Sequence, residues 1–171
     1  RLKDGKLIDQ ACLDHEIIAK PQALLADGID GLGIQLDGRR HLNLGALALT
    51  RGEKFSIGLW VHPDQRQSVS LVSKINDHVV KASTQYRRGI ELRLDNERIE
   101  VRFSHTWPAY SINVKGEPVV EPRRWQHLMI TYDGSGKAHG VRIYHDGREL
   151  DTQIIHDGLH AGGFNEGSPL L

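Results

Sequence analysis

From Gly33 onward, apolar and polar residues alternate in short runs separated by polar turns. The cleanest run is 55–61. Phe55, Ile57, Leu59 and Val61 fall on one side of an extended strand, and Ser56, Gly58 and Trp60 on the other. Pro63 ends that strand. Ser70 to Ile75 predicts another strand. Ile90 to Leu94 and Ile99 to Phe103 predict a hairpin turning at Asp95-Asn96-Glu97. Tyr110 to Val114 and Trp125 to Tyr132 add two more. Val141 to His145 and Glu149 to Ile154 flank Asp146-Gly147, a strong hairpin signal. Asp37-Gly38, between Ile34-Gln35-Leu36 and His41-Leu42-Asn43-Leu44, is a second. The long polar stretch Asn76 to Arg88 reads as a loop.

Many short strands with polar turns and no sustained helical period indicate an all-β, antiparallel two-sheet β-sandwich. Residues 1–24 read as a lead-in segment. There Leu7 to Leu13 and Ile17 to Lys20 suit a short helix or a strand, and Pro21 would break a helix. Residues 25–171 read as the domain proper.

Totals narrow the function. A chain of 171 residues with 39% hydrophobic residues is long enough to bury a core. Its formal charge of zero argues against nucleic acid or an anionic membrane as the main partner. No apolar run approaches the roughly 20 residues of a membrane span. The opening residues Arg1 to Lys6 lack the apolar region of a signal peptide, so the chain reads as a piece of something longer. Cys12 is the single cysteine and reads as an unreactive thiol, with His15 near it and no third group to orient a nucleophile.

Several segments together carry a resemblance. They are Gly33 to Gly38, Phe55 to Pro63, Trp125-x-His127, Thr131-Tyr132-Asp133-Gly134, and Tyr144-x-Asp146-Gly147. In this order they resemble the laminin-G-like branch of the concanavalin A-like lectin/glucanase superfamily, over roughly residues 25–171. The resemblance implies a jelly-roll sandwich that binds and seldom catalyses. His105-x-Trp107-Pro108 with Asp133 to Ala138 is similar to a subgroup found in large bacterial extracytoplasmic proteins with cytochrome-c-like domains. That implies an attached module whose partners include neighbouring domains of the same polypeptide, in a periplasmic or cell-surface setting. The family's closing strands are expected after the last residues here, so the domain reads as truncated at its C-terminus. The resemblance leaves room for calcium, but Asp37 alone is not a site, because a hard cation wants six to eight oxygens. No other cofactor is evident.

Relatives in that superfamily hydrolyse glycosides with paired carboxylates on one strand face. Here Glu91 and Asp95 would stand ~13 Å apart at ~3.3 Å per residue, too far for a retaining pair, and Arg93 occupies the middle position. The segment reads as a solvated strand face and turn, and the chain as no enzyme. His156 and His160 lie four apart, but Gly158, Gly162 and Gly163 oppose a helix that would pair them on a metal. His127 reads as structural, His145 as exposed, and Trp60 and Trp125 as packing residues. Sugar recognition needs a ring beside hydrogen-bonding groups. Trp107, Tyr110 and Tyr86 supply rings among polar residues, with His105 and Arg88 near them. These five form the candidate site for a polysaccharide or glycan. The competing reading makes Trp107 a plug at the sandwich edge and the domain a spacer or protein-interaction module.

Overall fold

The structure, a computed structural model, describes residues 2–3, 6–7, 18–20, 24–44, 49, 51–80 and 84–159. Cys12 and His160 lie outside that range. The described residues fall into two compact units, the first within residues 1–48 and the second within 49–166.

The first unit consists of short strands in antiparallel pairs. β1 (Leu2–Lys3) pairs with β2 (Lys6–Leu7). β3 (Ile18–Lys20) pairs with β6 (His41–Asn43), and β4 (Leu24–Asp27) with β5 (Leu32–Gln35). The Asp37-Gly38 turn therefore does not close a hairpin between its own flanks. Its signal is local: the Asp37 carboxylate accepts from the backbone N–H groups of Arg39 and Arg40 at 3.0 and 3.1 Å, and Gly38 takes φ 80°.

The second unit is a sandwich. Its strands are β7 (Phe55–Val61), β8 (Gln67–Val80), β9 (Thr84–Asn96), β10 (Arg98–Thr106), β11 (Tyr110–Pro118), β12 (Gln126–Tyr132), β13 (Val141–His145), β14 (Arg148–Glu149) and β15 (Thr152–Asp157). One sheet has the order β15-β11-β10-β9-β8 and the other β14-β13-β12-β7; all pairs are antiparallel. The alternation sets the core. Ile90, Leu92, Leu94, Ile99, Val101, Phe103, Ile112 and Val114 come from the first sheet, and Leu128, Ile130 and Ile143 from the second, all essentially solvent-free. Each such side chain contributes about 1.5–3 kcal/mol by burial. Phe103 and Tyr132 meet edge-on at 5.0 Å, with Phe55 tilted against both.

Two segments depart from the sequence reading. Within 76–88, the described residues Asn76–Val80 and Thr84–Arg88 are strand and not loop: β8 and β9 stay in register from Asn76↔Arg88 to Val80↔Thr84. Hydrophobic alternation misses it because ladder hydrogen bonds need no apolar face. Glu149 to Ile154 is not one strand. Asp146 (φ 48°) and Gly147 (φ 83°) close the β13–β14 hairpin as expected, but the chain then crosses at Leu150-Asp151 to pair β15 with β11 in the other sheet.

Candidate functional site

The outward face of the five-stranded sheet is polar and densely paired. Strand register arranges it in rows. Glu91, Arg102, Asn113 and His156 stand side by side on β9, β10, β11 and β15. Ser70, Arg93, Glu100 and Lys115 form the adjacent row across β8 to β11. Along each strand the sign of charge flips every second residue: Glu91, Arg93 and Asp95 on β9, Glu100 and Arg102 on β10. Charges therefore alternate in a checkerboard.

The pairing is close. Arg102 donates two hydrogen bonds of 3.0 Å to the Glu100 carboxylate and lies 3.6 Å from Glu91. Glu100 also has Arg93 at 3.5 Å and Lys115 at 3.8 Å. The Ser70 hydroxyl donates to Glu91. Lys115 reaches Asp95 at 2.8 Å, and Ser68 donates to the same carboxylate at 2.9 Å. Those two hydrogen bonds hold the Asp95 carboxyl below its ordinary pKa. Glu91 is 3% exposed and Glu100 1%, so this is not the solvated face expected from sequence. The longer arginine and lysine side chains fold over the carboxylates and exclude water. Asp95 belongs to this network too: the turn lies at Asn96-Glu97, with Asn96 at φ 56°, and Asp95 is the last paired residue before it.

Trp107 sits over one row. Its ring lies 4.7 Å from the Arg102 guanidinium and meets His156 edge-on at 5.5 Å. Arg102 and His156 flank Asn113 in that row, so the indole reaches across Asn113. Asn113 is 2% exposed, and its Oδ1 has no hydrogen-bond partner. Such unpaired buried polar atoms are few in folded proteins.

Of the five residues predicted from sequence, Arg88 and His105 meet, and Trp107 and Tyr110 lie at the adjoining β10–β11 turn. Arg88 meets His105: its guanidinium lies 2.8 Å from His105 Nε2. Burial, with the nearby Arg88 charge, lowers the His105 pKa. Tyr110 stands opposite Thr106 at the β10–β11 turn and is 49% exposed. Tyr86 lies on β9 opposite His78, within a ladder and not a loop. Trp107 joins the charged face through Arg102. Arg102, Glu91, Glu100, Arg93 and Lys115 were missed as a group. Their signal was present in the sign-alternating sequences of 91–95 and 100–102.

One other histidine and one tryptophan differ from expectation. His145 is not exposed: its side chain is 11% accessible, with Nε2 2.9 Å from Gln126 Oε1. Burial lowers its pKa. Trp60 is not a packing residue: it is 49% exposed on the outward face of the four-stranded sheet, tilted against His127 at 5.1 Å. Trp125 is half-buried beside His62. Among the described residues, no three His, Cys, Asp or Glu side chains converge as a metal cluster, and no helix is long and apolar enough to cross a membrane.

The Laminin_G_3 family model, described as the concanavalin A-like lectin/glucanases superfamily, matches residues 36–167. Among solved structures, the chain is similar to domain 4 of AbnA, a GH43 extracellular arabinanase from Geobacillus stearothermophilus, in complex with arabinotriose. The two share 17% identity with a TM-score of 0.49; the match covers 87% of this chain and 65% of that one. No curated protein matches the chain.

Proposed function

We propose that this chain, which belongs to the concanavalin A-like lectin/glucanase superfamily, is a non-catalytic recognition module that binds carbohydrate on the outward face of its five-stranded sheet. Trp107 supplies the ring surface. Arg93, Arg102, Lys115, Ser70 and Asn113 supply polar atoms whose directions the ion-pair network fixes in advance. The observation that carries this reading is the unpaired Asn113 Oδ1 between Arg102 and His156, the two residues the indole touches. A fold that leaves a buried acceptor open in a network otherwise so fully paired loses stability there, and a ligand hydroxyl would restore the missing bond. A saccharide that lifts the indole from Arg102 and His156 reaches that atom, and the freed ring stacks on the sugar.

Hydrolysis is a poorer fit. A glycosidase needs one carboxyl that holds a proton and a second free to attack or to activate water. Glu100 is gripped by a guanidinium through both oxygens, and Glu91 is held by Ser70, Arg93 and Arg102. In this proposal the module serves a larger extracytoplasmic protein.

Calorimetric titration with neutral oligosaccharides, on the parent and on Trp107→Ala, tests the reading. Trp107→Ala should abolish a binding event and leave the melting temperature nearly unchanged. If no saccharide binds, or the variant binds as the parent does, the domain is better described as a spacer or protein-interaction module.

A further inference from the structure

We propose that the outward face of the four-stranded sheet is a second, independent saccharide-binding surface, built on Trp60 and suited to an uncharged oligosaccharide lying along β7 and β12. Register places three rows on this face. Trp60 stands beside His127; Gly58 beside Met129 and Tyr144; Ser56 beside Thr131 and Arg142. The sequence of each row suits a different part of a sugar chain.

The Trp60 row is the platform. The indole is 49% exposed, and His127 supports it from one side at an angle of 58°. The next position along the strand is Gly58, which carries no side chain. A Cβ there would stand 3.4 Å from His127 Nε2, so the imidazole lies over the glycine and backs the indole. A half-exposed indole backed by an imidazole suits the C–H face of a pyranose or furanose ring.

The Ser56 row borders a cleft of about 540 Å³, lined by Lys54, Ser56, Thr131, Asp133, His139 and Arg142. That volume lies within the range of small-molecule sites. Ser56 and Thr131 offer hydroxyls there, which donate and accept, and Lys54 and Arg142 are cationic donors. Lys54 and Arg142 are balanced by Asp133 in the cleft and by Glu149, which holds Arg142 at 3.2 Å. Two positive groups against two negative leave no net attraction for a charged ligand, whereas hydroxyls satisfy both signs.

Trp60 and Ser56 are four residues apart on one strand, or ~13 Å at ~3.3 Å per residue. A single sugar ring cannot reach both ends, but an oligosaccharide can. The two sheets enclose the core between them, so this face and the Trp107 face point to opposite sides of the sandwich.

Proton NMR of the indole N–H groups separates the two surfaces, because Trp60→Ala and Trp107→Ala each identify one of the three tryptophan resonances. Neutral gluco-, xylo- and arabino-oligosaccharides are titrated alongside their monosaccharides. The Trp60 resonance should shift with an oligosaccharide in the parent and equally in Trp107→Ala. The monosaccharide should bind at least about tenfold more weakly. Replacing Ser56 and Thr131 together by Ala should weaken oligosaccharide binding and leave monosaccharide binding unchanged. A Trp60 resonance that stays still while Trp107 responds overturns this proposal and leaves the proposed function standing. If neither moves, both fail.

Discussion

Arg102 and Glu100 stand two residues apart on β10, and the guanidinium of one closes on the carboxylate of the other with two hydrogen bonds of 3.0 Å. This pair anchors a face where buried carboxylates lie beneath arginines. Such networks are costly to break from one side, because the remaining partner is left charged and desolvated.

Arg102→Leu should therefore destabilise the domain by about 3 kcal/mol, since it strips Glu100 of its bidentate partner and removes the indole's cation from Trp107. Arg102→Leu combined with Glu100→Leu should recover much of that loss. Urea denaturation of the single and double variants gives the comparison. A single variant as stable as the parent would mean that Arg93 and Lys115 neutralise Glu100 unaided.

The sandwich was readable from sequence because its strands bury one face and expose the other: β7 and β12 alternate at every residue, and the chain repeats that grammar. Alternation is silent where both faces are buried or neither is. The β9 and β10 segments bury apolar residues inward and ion pairs outward, so their outward charges looked solvated. Trp60 sits on the polar side of a perfect alternation, which already placed it outside; assigning it to packing weighed its size above its position. Which charges meet across strands depends on register, and the bulge between Ser70 and Val72 shifts that register by one residue. No local signal encodes where that shift falls.

Acidification should weaken the fold in two stages. His145 is half-buried, and burial holds its pKa below 6.5, as it does for His105. The unfolded chain binds that proton first, so stability present above pH 6.5 is lost as pH falls through the folded value. Asp95, Asp133 and Asp146 have carboxyls held below 3.8, chiefly by hydrogen bonds from Lys115, Ser135 and the His127 backbone respectively. Their contribution is complete above the unfolded value of 3.8 and disappears as pH drops through the lower folded values. Melting temperature against pH should show both declines, and His145→Gln should reduce the first, leaving the part that His105 contributes. If it does not, His145 is not the group titrating there.

Gly89 takes φ 142°, and a Cβ on it would run into the Lys74 carbonyl oxygen on the neighbouring strand. Gly89→Ala should cost more than about 3 kcal/mol, because both the backbone conformation and the strand spacing oppose it. Gly147→Ala, at φ 83° in a turn with open space, should cost only about 1 kcal/mol. Thermal unfolding of both variants gives the ranking. Equal losses would mean that β8 and β9 separate easily at Gly89.

Asn113 offers the sharpest separation of stability from binding. Its Oδ1 is buried without a hydrogen-bond partner, in the row between Arg102 and His156. Asn113→Leu removes that unpaired acceptor and keeps a side chain of similar size. If the atom is held open for a ligand, the variant should gain about 1 kcal/mol of stability. It should also lose at least about tenfold in affinity for whichever neutral oligosaccharide the parent binds at the Trp107 face. Opposite movements of stability and affinity are what a group kept for function, at some expense to the fold, predicts. Should Asn113→Leu instead destabilise the domain and leave saccharide binding untouched, Asn113 is a structural member of the row between Arg102 and His156, and the site on this face must be sought in the exposed hydroxyls and lysine alone.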